Sequence, residues 1–242
     1  WTLNNSAGVT LNAAVDIATG GTLTLTSGTI TVNGQTLALR STGPSSAANI
    51  AAIPGGGAAG GITGNFTFER YAGGLSGWRI MYSPVGGGAN IEGWNDDFQM
   101  SNFPGSDDPT YGWTSVYYYN ETDITGDLNN GYTIPVSSNA RVDSGAAIFA
   151  YIGPSGITLD QTGSLVKGDQ AFSVSNTSSG TPANDGWNLI GNPYPSDIDW
   201  SLAAFTGGVD DKAYIWDDAG GYGPPIDAST CGSPCPVASN IG

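Results

Sequence analysis

The sequence predicts an all-β fold: a jelly-roll-like β-sandwich built from two related halves and preceded by an N-terminal β-meander. Glycine is frequent (38 of 242 residues) and only 11% of residues are charged, which is typical of short strands joined by tight turns. Hydrophobic residues at 39% and aromatic residues at 10% are enough for a packed core. A strict alternation near the N-terminus and a repeated tryptophan pattern give the two parts of the prediction.

Residues 1–40 are predicted to form the meander, because residues 22–39 alternate between apolar and polar side chains. If Ser27-Gly28 and Asn33-Gly34 are two-residue hairpin turns, Leu25 pairs with Ile30 and the large apolar residues share one face. The opposite face is rich in threonine. We interpret it as a solvent face or a subunit contact, with a glycan lattice or ice as the alternative. Its residues are Thr24, Thr26, Thr29, Thr31 and Thr36.

Residues 41–64 are rich in Gly, Ala and Ser and are predicted to be a flexible linker. The alternative is an ordered strand, anchored by Ile50, Ile53 and Ile62, that pairs with another subunit. Either way the chain divides here, and residues 65–242 form the predicted sandwich domain.

An internal repeat supports the two halves of the sandwich. Residues 77–120 and 186–217 each contain a tryptophan strand, a proline turn, a second tryptophan and an aromatic strand. Neither half would bury its apolar face alone. The strands that follow the first copy have no counterpart after the second, so we expect the polypeptide to continue beyond residue 242 or to borrow strands from a neighbour. The predicted core residues are Trp78, Trp94, Trp187, Pro193, Tyr194, Pro195, Trp200, Tyr214 and Trp216.

The second copy contains the most distinctive stretch of the chain, residues 186–200, which reads GWNLIGNPYPSDIDW. Pro193 and Pro195 fix φ and remove two strand donors, so a strand is predicted to end near Gly191 in a rigid turn. The two-residue spacing of Ile198 and Trp200 then predicts a further strand.

This stretch resembles a segment of secreted and cell-surface proteins of the Bacteroidota that are associated with type IX secretion. The match is close over residues 186–200 and looser over residues 66–216. The resemblance implies an exported all-β module of a large surface protein, and it implies no catalytic or binding residue.

The charge balance excludes two classes of partner. Six Lys and Arg residues face 21 Asp and Glu residues, for a formal net charge of −15, so a nucleic acid would be repelled. The same balance offers little attraction for an anionic membrane, and no apolar run is long enough to insert. We expect an extracellular protein. The opening at Trp1, without a leader, suits a mature secreted chain, and it suits equally an arbitrary boundary within a longer chain.

Cys231 and Cys235 are the only cysteines and enclose Gly-Ser-Pro, a turn-forming sequence. In an oxidising compartment they would close a small disulfide loop. Two thiolates alone would make a poor zinc site.

The sequence does not predict an enzyme. Without histidine, the Ser-His-Asp and Cys-His mechanisms are excluded, and no phosphate-binding or dinucleotide motif is present. A glycosidase that uses two carboxylates remains an alternative, because Asp and Glu suffice for it. Its candidate acids are Glu69, Glu92, Asp96, Asp97 and Glu121.

No organic cofactor is expected, and the metal considered is a structural calcium. Residues 120–131 form a loop rich in oxygen ligands, of which Asp123, Asp127 and Asn129 are the candidates. The spacing does not match an EF-hand. The alternative is that these side chains make Asx turns.

Trp113 and Tyr118 are the candidate glycan contacts. In a strand, Tyr117 and Tyr119 share one face and Tyr118 the other, so one side is expected to be core. Tyr118 is the expected outward ring, and Trp94 is a further candidate.

These observations favour an extracellular structural protein, a subunit of a fibre, filament or surface layer that pairs β-strands with copies of itself. The first alternative is a carbohydrate-binding or adhesive module of a larger surface protein. The second is the carboxylate glycosidase.

Overall fold

A computed structural model describes residues 1–43, 46–74, 76–143, 147–153, 156–217 and 221–237. The predicted all-β class is confirmed: short strands form several sheets, and the helical segments are single 3₁₀ turns. Residues 44 and 45 of the predicted linker and residues 238–242 of the predicted sandwich domain lie outside the described residues.

The first part of the chain is a coil of three turns whose strands stack in parallel. The first turn has β1 (Thr2–Asn4), β2 (Val9–Thr10) and β3 (Val15–Ile17); the second has β4 (Thr22–Thr31) and β5 (Leu37–Leu39); the third has β6 (Asn49–Ile50), β7 (Gly60–Thr63) and β8 (Phe66–Ala72). β4 is long enough to form two sides of its turn, and pairs with β1 and β2 below it and with β6 and β7 above it. β3, β5 and β8 form the third side.

The register of the coil explains why these residues form it. Ile17 pairs with Leu39, and Leu39 pairs with Phe68, so three buried apolar side chains stack in one column. Val9 and Ile30 begin a second column, which Ile62 continues. Each turn therefore covers the apolar side chains of the turn before it, as in solenoid proteins generally.

The predicted meander is wrong, although its alternation of buried and exposed residues is observed. β4 runs through Ser27-Gly28 without reversing, so Leu25 and Ile30 lie on one strand instead of pairing. The Asn33-Gly34 turn exists, with positive φ at both residues, but it leads to β5, which pairs with β3 and not with β4. A two-residue period fits a parallel coil as well as a hairpin, because it reports which face is buried and not which strand is the neighbour.

The Gly-rich segment is part of the coil. β6 and β7 lie within residues 41–64, so the flexible-linker interpretation is wrong for these strands. Ile50 and Ile62 belong to an ordered strand each, as the alternative proposed, but both strands pair with β4 of the same chain.

Two antiparallel extensions follow the coil. The next strands are β9 (Gly77–Met81), β10 (Val85–Gly86), β11 (Val116–Tyr119), β12 (Tyr132–Thr133), β13 (Ile148–Ile152) and β14 (Ile157–Leu165). β14 pairs with β8 and β10, and so widens the third side of the coil into a five-stranded sheet. β12, β11, β13 and β9, in that order, form a separate four-stranded sheet. Single 3₁₀ turns lie at Ile91–Trp94, Glu121–Asp123, Leu128–Gly131, Pro182–Asn184 and Trp200–Leu202.

The last part of the chain is mostly irregular. Its two-residue strands are β15 (Ile198–Asp199), β16 (Lys212–Ala213), β17 (Trp216–Asp217), β18 (Gly221–Tyr222), β19 (Ile226–Asp227) and β20 (Pro236–Val237), which pair as β15 with β20, β16 with β19 and β17 with β18. The strand predicted to end near Gly191 is not formed. The two copies of the repeat therefore differ: the first tryptophan lies on β9, and the second lies in irregular chain.

One hydrophobic core joins the coil to both sheets, and it contains only part of the predicted tryptophan set. Trp94 is 2% exposed, and Pro193 and Pro195 are buried. The other predicted core residues are half-buried or, for Tyr214, exposed, and they pack outside this core: Trp78, Trp187, Tyr194, Trp200, Tyr214 and Trp216.

Candidate functional site

The first turn of the coil has an open edge. β1, β2 and β3 each pair with the second turn on one side, and within the described ranges none of them has a strand on the other side. The Leu11 N–H donates to the Thr31 carbonyl (2.9 Å) and the Val15 N–H to the Thr36 carbonyl (2.8 Å). The backbone groups of Leu11 and Val15 therefore face the second turn. Because backbone groups alternate along a strand, the N–H and C=O of Thr10 face the open edge.

The third turn, in contrast, is covered on all three sides. The Ile50 N–H of β6 donates to the Pro195 carbonyl (2.9 Å). The Lys167 Nζ donates to the Gly60 carbonyl of β7 (2.9 Å). The outer edge of β8 is paired with β14 over seven residue pairs. Within the part of the chain that the structure describes, the coil is therefore closed at its third turn and open at its first.

The proline turn is part of this closure. The Asn192 side chain accepts from the Tyr194 N–H (3.0 Å) and donates to the Ser196 carbonyl (2.7 Å), which holds the turn rigid. The Tyr194 hydroxyl donates to the Gly168 carbonyl (2.6 Å). A Cβ at Gly191 would lie 2.0 Å from the Cβ of Tyr82, so only glycine fits there. The turn was predicted from the sequence, but its contact with β6 was not.

The open edge carries almost no charge. Asp16 is the only charged side chain in residues 1–21, and it forms an ion pair with Arg40 (2.9 Å). Trp1 is 51% exposed, and Val9 and Val15 are only half-buried. Soluble proteins usually protect a strand edge with lysine, proline or an inward-pointing charge. The strands of this edge have no lysine and no proline.

A second surface is the outer face of the β12-β11-β13-β9 sheet, which is aromatic. Trp78 of β9 stacks on Phe149 of β13, with ring centroids 4.8 Å apart and planes 7° apart. Tyr132 of β12 packs against both Phe149 (5.8 Å) and Tyr119 (5.1 Å). We call this surface the aromatic face; its residues are Trp78, Tyr117, Tyr119, Tyr132, Phe149 and Tyr151.

The end of the chain covers part of the aromatic face. Trp216 packs edge-on against Phe149 (5.0 Å), and its indole N–H donates to the Trp78 carbonyl (2.7 Å). Tyr222 packs against Trp216 (5.1 Å) and Trp187 (6.1 Å). The aromatic strand of the second predicted repeat thus lies on the sheet of the first.

Trp113 lies at the part of the aromatic face that Trp216 does not cover. It is 41% exposed, and its ring lies 5.5 Å from Trp78 and 5.0 Å from Tyr151. Tyr118 is not the outward ring, contrary to the prediction: it packs against the core, and its hydroxyl donates to the Arg141 carbonyl (2.6 Å). Burial raises the pKa of Tyr118 to about 12. Trp94, the further candidate, is buried.

Some of the candidate acids meet at one pocket. Glu92 and Asp96 line an open pocket of about 650 Å³ together with Asp160, which the sequence did not single out. Asp97 lies beside it, and its carboxylate accepts from the Asp160 N–H (2.8 Å). Burial, assisted by the neighbouring carboxylates of Asp160 and Asp96, raises the pKa of Asp97 to about 7.

The other two candidate acids bind the chain itself. Glu69 pairs with Arg40 at the third side of the coil. Glu121 is 2% exposed and accepts hydrogen bonds from Thr177 and from the Gly186 N–H. Burial alone would raise the pKa of Glu121, but hydrogen bonds from Ser175, Thr177 and Gly186 outweigh it and hold the pKa below its usual value. Glu121 thus fastens the irregular segment to the sheet.

The candidate calcium loop is held by its own side chains. Asp127 accepts from the Asn129 N–H (2.9 Å), and Asp123 accepts from the Asn120 side chain (2.8 Å). These are the local hydrogen bonds of the alternative interpretation. Among the described residues no three acidic, Cys or His side chains are grouped to hold a metal ion. Calcium binding by this loop stays a prediction.

The predicted disulfide joins Cys231 to Cys235, with their Cα atoms 5.7 Å apart. Cys235 is buried; its carbonyl accepts from the Trp200 N–H (2.8 Å), and its N–H donates to the Asp199 carboxylate (2.8 Å). The small loop therefore holds β20 against β15.

Comparison of the chain with protein-family models, curated proteins and solved structures finds no significant match. In the ranges that the structure describes, none of the helices is both long and apolar enough to cross a bilayer.

Proposed function

We propose that this chain is a structural module of an extracellular fibre or surface layer, and that it assembles by adding β-strands of a second copy to the open edge of its first turn. The observation that carries the proposal is the asymmetry of the coil. The third turn has partners on all its outer edges, and the first turn has none among the described residues.

The physical argument rests on unpaired backbone groups. A strand edge is a template for another strand, and β1, β2 and β3 present three such edges side by side. With a formal net charge of −15, two copies would repel each other over most of their surfaces. The open edge adds little to this repulsion, since its single carboxylate, Asp16, forms an ion pair with Arg40, which Glu69 shares.

The kind of assembly depends on which surface of the next copy meets the open edge. If two open edges met each other, the result would be a closed dimer. If the open edge met a different edge of the next copy, the contact would repeat and build a filament, which is the form we propose. Since the third turn is covered, that edge would be an end strand of an antiparallel extension, β9, β10 or β12. We also propose that the sheet of β8 and β14 and the sheet of β9, β13 and β11 form a β-sandwich, because both contribute side chains to one core.

Secretion is part of the proposal. The resemblance suggested by the sequence of residues 186–200 motivates it, although the comparisons find no match, and a disulfide is suited to an oxidising compartment. The proposed function involves no catalytic activity, no nucleic-acid partner and no insertion into a membrane.

The test is a charge placed on the open edge. Thr10 is exposed on β2, and Thr36 is exposed in the turn before β5, so Thr10→Lys and Thr36→Lys change the net charge equally. Sedimentation velocity and negative-stain electron microscopy would follow assembly at neutral pH. We expect filaments from the parent chain and from Thr36→Lys, and monomers from Thr10→Lys. A parent chain that stays monomeric at high concentration would contradict the proposal, as would equal assembly of both variants.

A further inference from the structure

Trp113 packs directly against the aromatic face and is still partly uncovered. The rings of Phe149 and Trp216 cover each other, whereas Trp113 keeps 41% of its surface exposed. We call Trp113, Trp78 and Tyr151 together the aromatic shelf.

The backbone beneath the shelf is fixed by several hydrogen bonds. The Ser101 hydroxyl donates to the Trp113 carbonyl (2.8 Å), and the Ser101 N–H donates to the Ser115 hydroxyl (2.8 Å). The Asn102 side chain donates to the Thr114 hydroxyl (2.7 Å). These bonds fix the backbone, and the contacts with the Trp78 and Tyr151 rings orient the indole. A ring that is ordered before the ligand arrives lowers the entropy cost of binding.

We propose that the aromatic shelf binds a neutral sugar, by stacking a pyranose ring on Trp113. An exposed large ring with polar edges nearby matches a ligand that has apolar C–H faces and hydroxyl edges. The phenol of Tyr151, whose ring lies 5.0 Å from Trp113, supplies such a polar edge.

Size and charge select this ligand over others. A stable protein partner covers about 800 Å² on each side, several times what one indole and two half-buried rings expose. An anionic ligand would need a cation, and the shelf itself has none. Arg79, on β9 beside Trp78, is buried, and Arg141 pairs with Asp143. A neutral glycan satisfies both conditions. The proposal does not depend on assembly at the open edge.

The test uses soluble neutral hexasaccharides of β-1,4-glucose, β-1,3-glucose, β-1,4-xylose and β-1,4-mannose, titrated into the full chain by calorimetry. We expect at least one of them to bind, and Trp113→Ala to weaken that binding by about tenfold or more. Trp113→Phe keeps a stacking ring and should recover part of the affinity.

Tyr111→Ala is the matched control. Tyr111 is 54% exposed and lies two residues before Trp113, so its removal tests the loss of any exposed ring from the same loop. It should leave the affinity unchanged, and near-ultraviolet circular dichroism should show all three variants folded. The proposal is overturned if the parent chain binds none of the four sugars, if Trp113→Ala binds as well as the parent, or if Tyr111→Ala loses as much affinity.

Discussion

Replacing Gly28 by alanine tests whether residues 22–31 form one strand of a coil. Gly28 has φ of 80°, and a Cβ there would lie 1.8 Å from the Asn5 carbonyl oxygen of the first turn. Gly34 has φ of 71°, but a Cβ there would have no atom within 4 Å. The two glycines have similar backbone conformations and differ in the space around them, so Gly34→Ala is a matched control.

The magnitudes separate the two variants. A left-handed backbone costs alanine about 1 to 2 kcal/mol, and this is the whole expected effect of Gly34→Ala. At Gly28 the first turn must also move by about 1.2 Å to restore a 3.0 Å contact. That shift would break the hydrogen bond from the Asn5 N–H to the Ser27 carbonyl and open the column of buried side chains. We expect a total loss of about 3 to 5 kcal/mol for Gly28→Ala.

Urea unfolding, followed by tryptophan fluorescence, would measure both free energies of unfolding. In a hairpin, Gly28 and Gly34 would both occupy open turns, and the two substitutions would cost the same. Equal losses would therefore refute the parallel coil and restore the meander.

Three further predictions concern groups outside the coil. Glu121→Gln presents an amide donor to backbone donors, and we expect it to lower the free energy of unfolding in urea by about 2 to 4 kcal/mol at pH 7. Because the folded pKa of Glu121 is lowered, this difference from the parent should shrink as the pH falls below about 4.5. Asp97→Asn can still accept from the Asp160 N–H, and it should be more stable than the parent at pH 8 but not below pH 3.8. The reason is that the raised pKa of Asp97 makes the parent lose stability as the pH rises through about 7. A variant that is not more stable at pH 8 would contradict this. Cys231→Ser should cost at most about 2 kcal/mol, because the closed loop is short, and faster hydrogen exchange at the Trp200 N–H would report it.

The sequence predicts the buried residues of the coil but not their partners. Leu23, Leu25, Ile30 and Leu37 were assigned to one apolar face, and all four are buried. The predicted reversal of the chain at Ser27-Gly28 is wrong, because a glycine such as Gly28 can bend a strand as well as reverse it. A usable signal was present: Leu3 and Leu25, which pair in the coil, are 22 residues apart, and β2 and β3 repeat against β4 and β5 at nearly the same spacing.

Long-range contacts explain the other differences. The proline turn was recognised from local chemistry, but its hydrogen bond to Ile50 joins segments far apart in the sequence, and no periodicity reports such a contact. The alternation of the tyrosines on β11 was also correct, whereas the choice of the outward side was not. Val116 shares a face with Tyr118 and is fully buried, so the aliphatic residue was the better indicator of the core side.

Cryo-electron microscopy of the native protein, isolated without denaturant, would test the central claim most directly. The account predicts filaments or layers in which a strand of a neighbouring copy lies about 4.8 Å from the open edge of β1, β2 and β3 in every subunit. Single particles whose first turn faces solvent, or assemblies in which the contact lies elsewhere on the chain, would contradict it.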